Sequence, residues 1–418
     1  MKFLFVHQNF PGQYLHIVMH LLRRGGHEIV FISEPNNNAI AGVRRVNYQL
    51  ARTSQDGVHP HIRDFDLAAR RAEIVYGLAV NLRSLGFTPD IIIGHHGWGE
   101  MLGLPDVWPG VPMLGYFEFF YSPYGQDTAY DPEFPIGPEQ FLRIRAMNGV
   151  NLLALALDQH GQTPTRWQLS RYPDWAQRRI RLVPEGARLD LCRPNAAVRA
   201  APLAIGDFVV APGEKLVTYV ARNLEPYRGF HVVMRALPAL LRARPDVKVV
   251  MVGGDDVSYG ARLPQGNWRE RLTGELAGQY DMSRVLMPGQ VPYDTYLALL
   301  QRSDAHVYLT YPFVPSWSLR EALACGCAVI GADVEPVREF LTEGRTGLLT
   351  PGLDSAALAR RILDLLENPR LDRRIRQGAR RHAEATLDME GHLAAYEALI
   401  GEITGQAPRG TRARAAKG

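Results

Sequence analysis

Along most of the chain, apolar runs of strand length alternate with stretches repeating at helical spacing, and the series runs through twice. Lys2 to Val6 reads as a strand, His7 to Gln13 as a loop, Tyr14 to Arg24 as a helix ended by Gly25-Gly26, and Glu28 to Ile32 as the next strand. Strand-sized runs follow at Asp90 to Gly94, Met113 to Tyr116, Asn151 to Ala156 and Arg181 to Val183, with a helix expected over Leu67 to Leu85. The second series opens with a strand at Lys215 to Ala221. It continues with a helix over Phe230 to Arg244, a strand at Val247 to Gly253, a helix over Trp268 to Tyr280, a strand at Arg284 to Met287 and a helix over Tyr293 to Arg302. Strands at Ala305 to Leu309, Ala328 to Gly331 and Gly347 to Leu349 complete it. Such alternation requires parallel strands joined by crossover helices, and therefore an α/β sheet covered on both faces. The expectation is two doubly wound domains, 1–205 and 206–405, joined through the Pro, Gly and Ala-rich stretch Pro184 to Gly213, and a basic disordered tail at 406–418. Ligands of these sheets bind beyond the carboxyl ends of the strands, so the two domains are expected to face each other across a cleft.

With 46% hydrophobic and 22% charged residues, the 418-residue chain has ordinary globular usage, which excludes wholesale disorder, collagen-like repetition and coiled coil. The net charge is +4, and the tail alone carries Arg409, Arg412, Arg414 and Lys417 with no acid, so the folded body is near neutral. A spread-out nucleic-acid surface is not expected on such a body. Cys192, Cys325 and Cys327 are the only cysteines, and the last two stand too close for a comfortable disulfide, which points to a reducing compartment. The apolar start meets His7-Gln8-Asn9 too soon for a signal peptide, and no run approaches the roughly 18 apolar residues of a spanning helix. A cytoplasmic protein is expected.

Phosphate chemistry is the first question for a doubly wound fold. The chain has no G-x-x-x-x-G-K-[S/T], and the first strand is followed by Phe10-Pro11-Gly12-Gln13 rather than G-x-G-x-x-G, which sets aside P-loop NTPases and hydride-transferring dehydrogenases. Two other segments suit an anion. Arg222 ends the first strand of the second series and Arg228 precedes its helix, so two guanidiniums could clamp a pyrophosphate, unless acids such as Glu225 pair them. Further on, a strand ending near Thr310 runs through a Pro-punctuated loop into a helix that opens around Ser316 to Ser318 and stops at Gly326. Its first-turn amides and dipole would seat a phosphate, and Glu321 could accept both hydroxyls of a ribose or simply favour the helix start.

The run Ser318 to Gly331, with Glu335-Pro336-Val337-Arg338-Glu339 and Glu343-Gly344-Arg345-Thr346-Gly347-Leu348-Leu349, closely resembles the donor half of retaining glycosyltransferases of family 4. Arg222, Arg228 and Gly229 match the same pattern, as do Met287 to Tyr293, Pro164 to Gln168 and Val183 to Gly186. The resemblance implies the GT-B fold: two facing, doubly wound Rossmann-like domains with an interdomain cleft, 1–205 on the acceptor side and 206–405 for the donor. It further implies transfer of a hexose from a nucleoside-diphosphate sugar, uridine-based by commonness, to a hydroxyl of a saccharide, a lipid-linked glycan or a small molecule. Arg222 and Arg228 would neutralise the departing diphosphate, the amides at Ser316, Trp317, Ser318 and Leu319 would bind its terminal phosphate, and Glu321 would hold the ribose. Gly12 would permit close backbone approach, and Gly289 and Val291 would line the nucleotide. The nucleotide-sugar is a substrate, and neither cofactor nor metal is expected.

Two positions depart from the family pattern. Phe313 stands eight residues before the helix acid, where the family usually carries a sugar-binding Glu. Glu118, flanked by aromatics at a strand end, stands where a His near the anomeric centre is common; it is expected to accept the acceptor's proton or a sugar hydroxyl, or else to be a structural acid. His95, His96 and Trp98 follow another strand end, where one histidine could bind acceptor or donor sugar with Trp98 offering a stacking face, or the group could equally pack in the core. His16 with His20, and Asp64-Phe65-Asp66 at a helix start, are assigned no metal. Basic residues on the first helices leave peripheral attachment at the inner membrane face open, while nucleic acid is not an expected partner. An epimerase of the same architecture and a catalytically silent binding protein remain as alternatives.

Overall fold

The computed structural model describes residues 1–51, 55–157 and 159–405 and divides into two compact units. The first comprises Met1–Pro123, Ile136–Pro184 and the described residues from Glu390 on; the second comprises Tyr124–Pro135 and Glu185–Met389. The first unit carries a seven-stranded sheet ordered β3-β2-β1-β4-β5-β6-β7, with β1 Lys2–Val6, β2 Glu28–Ser33, β3 Val43–Asn47, β4 Ile91–His95, β5 Met113–Tyr116, β6 His160–Thr163 and β7 Ile180–Leu182. Every neighbouring pair in it is parallel. Runs such as Ile91-Ile92-Ile93 are fully buried because helices cover both faces of a parallel sheet. The strand order reverses between β1 and β4, which defines a topological switch point where the carboxyl ends of neighbouring strands diverge.

After a short antiparallel hairpin, β8 Leu203–Ile205 with β9 Phe208–Val210, the second unit builds a six-stranded sheet ordered β12-β11-β10-β13-β14-β15. Its strands are β10 Lys215–Asn223, β11 Val247–Gly254, β12 Val285–Gly289, β13 Ala305–Tyr308, β14 Val329–Ala332 and β15 Leu348–Thr350, again all parallel. The switch point here lies between β10 and β13. Helix Phe230–Ala243 buries Phe230, Met234, Leu237 and Leu241 against this sheet, and helix Ser355–Glu367 adds Leu358, Ile362 and Leu365 to the same core. Among the described residues no helix is long and apolar enough to cross a membrane.

Several expectations change. Asn151 to Ala156 is not a strand but the body of helix Gly149–Ala156: Leu and Ala favour helix, no β-branched residue opposes it, and a short apolar run carries no period that separates the two. The edge-ward strand is instead the polar β6, held by its ladders to β5 and β7. Helix Trp268–Glu275 is shorter than expected and opens on a capping box between Asn267 and Glu270. The stretch Pro184 to Gly213 contains helix Ala196–Ala200 as well as the hairpin.

The division also falls elsewhere than at 205/206. Chain from the middle of the first series, Tyr124–Pro135, lies on the second unit: Asp127 accepts the Tyr227 hydroxyl at 2.6 Å, Asp131 accepts that of Tyr311 at 2.6 Å, and Glu133 grips Arg235. Conversely, helix Met389–Thr404 returns to the first unit, where Glu397 bonds Arg24 at 2.6 Å. The expected basic tail at 406–418 lies outside the described residues.

Candidate functional site

In the second unit the anion-handling residues gather at the switch point. Past the end of β10 the chain runs through the 3-10 turn Pro226–Arg228 to Gly229, whose φ of 74° is left-handed and whose added Cβ would lie 2.3 Å from Leu309, so only glycine fits. That turn buries the Arg228 side chain. Its Nη1 donates to Thr310 Oγ1 at 2.9 Å and to the Val314 carbonyl at 3.2 Å, and its guanidinium lies 5.0 Å from the Tyr259 ring and 5.6 Å from Phe313. Arg228 is thereby fixed to the loop leading into helix Trp317–Ala324. Glu225, the acid that could have neutralised it, is wholly buried and spends its carboxylate on the amides of Ser258 (3.0 Å) and Gly260 (2.9 Å). Arg222 is exposed near the end of β10 and makes no salt bridge among the described residues.

Helix Trp317–Ala324 begins at Ser316, whose extended backbone marks the cap, and ends before Gly326 at φ 67°. Of the four amides expected to face a phosphate, two are used internally: Ser316 donates to Tyr308 Oη at 2.8 Å and Leu319 to the Ser316 carbonyl at 3.2 Å. The amide of Ser318 has no acceptor among the described residues. Trp317 donates through Nε1 to Glu185 at 2.9 Å, and Glu185 also meets buried Arg320 at 3.2 Å, which locks the helix start in place. Half-buried Glu321 accepts the Tyr293 hydroxyl on Oε1 (2.8 Å) and the Tyr296 hydroxyl on Oε2 (2.6 Å). Burial raises its carboxyl above the usual range, opposed by the two phenols. Gly289 ends β12 at φ 77° with open space around it, and Val291 packs at the edge of the core beside it. Phe313 is 6% exposed, packed against Tyr227 and Tyr259, and forms a wall beside Arg228.

The first unit assembles a second cluster, from three successive strand ends around its own switch point. His95 ends β4, and its Nδ1 accepts the Gly97 amide at 2.9 Å. The neutral tautomer therefore carries its proton on Nε2, which points at Glu118 Oε2, 3.3 Å away. The ring is sandwiched between Trp98 (6.0 Å) and Tyr116 (5.4 Å) and is 3% exposed. His7, following β1, stands edge-on to it at 5.5 Å, with Nδ1 taken by the Asn9 amide. Gly12, at φ 56°, passes so close to His7 that a Cβ would meet its ring at 2.9 Å.

Glu118 follows β5 with its side chain 30% exposed. Its loop is pinned by Gln168 donating to the Glu118 carbonyl (2.7 Å) and Asn151 to that of Phe119 (2.9 Å). His95 is a buried clamp on Glu118, while His96 points the other way into the core against Phe117, where a Cβ on Gly115 would lie 2.0 Å from it. Trp98, 36% exposed, keeps a face open. Sequence reading missed His7, Tyr293 and Tyr296; the i, i+3 spacing of the two tyrosines was the available sign.

For metals, Asp131, Glu133 and His231 bring donor atoms within 4.8 Å of one another. Asp131 is already shared by Tyr311 and His231, and Glu133 is held by Arg235, so the trio reads as a latch for the Tyr124–Pro135 segment. Cys192, Cys325 and Cys327 are free thiols.

The family model described as Glycosyl transferase family 4 group matches residues 25–192, and that described as Glycosyl transferases group 1 matches 206–382. The chain is similar to D-inositol 3-phosphate glycosyltransferase of Streptomyces scabiei, 30% identical over 297 residues, which is 70% of this chain and 62% of that protein. It is also similar to the protein of the same name from Streptomyces avermitilis, 30% over 220 residues (52% and 46%). A third relative is the phosphatidyl-myo-inositol mannosyltransferase of Mycobacterium leprae, 34% over 158 residues (37% and 38%). The chain spans about half the length of the curated relatives it matches. Among solved structures, sucrose-phosphate synthase from Thermosynechococcus elongatus aligns with TM-score 0.74 at 19% identity, covering 97% of this chain and 100% of that one. Anabaena HepE in complex with UDP and glucose aligns with TM-score 0.66 at 16% identity, covering 96% and 99%. These likenesses establish the fold as GT-B, two parallel-sheet α/β domains.

Proposed function

Because the chain belongs to the family 4 glycosyltransferases, we propose that it transfers a hexose, with retention, from a uridine-diphosphate sugar to a hydroxyl of a saccharide, lipid-linked glycan or small polyol. The observation that carries this reading is Arg228, buried at the switch point of the second sheet and bonded to Thr310 and Val314 at the approach to helix Trp317–Ala324. As the bond between the anomeric carbon and the diphosphate oxygen breaks, negative charge grows on that oxygen. Arg228, exposed Arg222 and the Ser318 amide meet it, and fixed dipoles in a partly dry site stabilise such charge by several kcal/mol, roughly 3–4 per donor lost. The incoming hydroxyl adds from the same face, its proton passing to the leaving phosphate, and Glu118 accepts a hydrogen bond from the acceptor or the sugar. Glu321 takes the ribose hydroxyls, with Gly289 and Val291 beside the base. The reading assigns no metal, since guanidiniums and an amide supply the positive charge. The names of the inositol-directed relatives favour a polyol acceptor. Three free thiols support a reducing, cytoplasmic setting, with any membrane contact peripheral.

Thermal-shift screening with UDP-, GDP- and ADP-sugars, followed by turnover with polyol and saccharide acceptors, tests the proposal. Selective stabilisation by one nucleotide series and a glycosylated product are expected. An epimer formed from donor alone would replace transfer with epimerisation, and binding without any product would leave a silent binding protein.

A further inference from the structure

The ribose role of Glu321 rests on the donor-site reading above, and the surroundings of that carboxylate say more than the role itself. An ionised carboxylate has about four acceptor positions, two on each oxygen. Here one on each oxygen is filled from the same short helix, Tyr293–Arg302, whose residues 293 and 296 are neighbours on one face. Tyr296 is 9% exposed and fixed; Tyr293 is 45% exposed and forms the solvent side of the pair, with ring centroids 5.6 Å apart. The thiol of Cys192, itself wholly buried, sits 3.4 Å from the Tyr293 hydroxyl and donates a long, weak hydrogen bond to Glu321 Oε1 at 4.0 Å, closing that flank.

We infer that Tyr293 and Tyr296 are positioning residues that fix the rotation of the Glu321 carboxylate, one phenol on each oxygen, so that its remaining acceptor capacity, including the position on Oε1 held only by the long thiol contact, is aimed at the two hydroxyls of a nucleoside ribose. Three consequences follow. A carboxylate held at both oxygens cannot turn to follow a sugar lacking one hydroxyl, so the site discriminates ribose from deoxyribose. Each phenol is a donor only to the carboxylate and supplies no contact to base or phosphate. Loss of one phenol frees the carboxylate to rotate and raises its affinity for a proton, and a protonated carboxyl presents a donor where the diol needs an acceptor.

The test uses the full chain and isothermal titration with whichever of UDP, GDP or ADP stabilises the wild type, together with the 2′-deoxy form of that nucleotide. Wild type is expected to prefer the ribonucleotide by about tenfold or more, the scale of one hydrogen bond to a charged group. In Tyr296→Phe and Tyr293→Phe, each melting close to wild type, ribonucleotide affinity should fall about tenfold while 2′-deoxynucleotide affinity stays within about threefold, so the preference collapses. A preference unchanged in both variants, or both ligands weakened alike, overturns the inference and leaves the donor site standing. A wild type that binds no nucleoside diphosphate, or binds ribose and deoxyribose equally, overturns the donor-site reading and the inference with it.

Discussion

Two histidines of the first unit make its stability depend on pH in a calculable way. His7 is 4% exposed and His96 1%. Burial, reinforced by the neighbouring His95, pushes both from 6.5 down to about 3. In the folded chain they stay neutral through mildly acidic conditions, while in the unfolded chain they take up protons once the pH drops past 6.5. The folded-state value is the lower one, so this contribution is fully present above 6.5 and is lost as the pH falls toward 3. Integrated between pH 7.5 and 5.0, the unfolded state gains about 2 kcal/mol per histidine, or about 4 kcal/mol for the pair. With a urea slope of about 2 kcal/mol per molar, the unfolding midpoint of the unit should drop by about 2 M over that interval. Urea titrations at the two pH values, on wild type and on His96→Leu, isolate one share. Whatever its absolute stability, the variant should lose about 2 kcal/mol less on acidification than wild type does. Equal losses in the two proteins would refute the reasoning, because His96 would then have to be protonated inside the fold, against the packing of its ring on Phe117 and Gly115.

Two further outcomes concern the sites. Arg228→Lys replaces a planar fork by a point charge that cannot serve Thr310, Val314 and two aromatic faces together; donor kcat/KM should fall about 100-fold in a steady-state assay, and a change below about threefold would remove Arg228 from the diphosphate site. Glu118→Gln should slow transfer about 100-fold while leaving nucleoside-diphosphate binding unchanged by calorimetry, and full transfer activity would return Glu118 to a structural role held by His95.

Much of this architecture was legible because burial on both faces of a parallel sheet imposes continuous apolar runs, and stretches such as Phe3-Leu4-Phe5-Val6 or Val249-Val250-Met251-Val252 have no other stable use. Arg228 and the helix opening at Ser316 were legible for a different reason: a guanidinium after a strand and a helix start after a Pro-rich loop are local signatures. What failed was whatever depends on the far side of the fold. Asn151 to Ala156 has the composition of either element, and only the ladder partners of His160–Thr163 decide which segment joins the sheet. The two adjacent histidines were separable in principle, since extended chain sends them opposite ways, but which one faces Glu118 follows from the Gly97 turn and the missing side chain at Gly115. Likewise, the phenols that hold Glu321 come from another helix: their i, i+3 spacing shows that they share a face, but not that this face meets the carboxylate.

The passage of Tyr124–Pro135 onto the second unit, and of the last helix back to the first, bears on how such a chain can be recombined. A chimera spliced once between the two halves would inherit a second unit whose Tyr227 and Tyr311 face acids from a foreign sequence, and a first unit capped by a stranger's final helix. Exchange of the second unit between relatives should therefore succeed only when the grafted module carries its excursion segment along, a two-piece transplant rather than a cut-and-paste of halves.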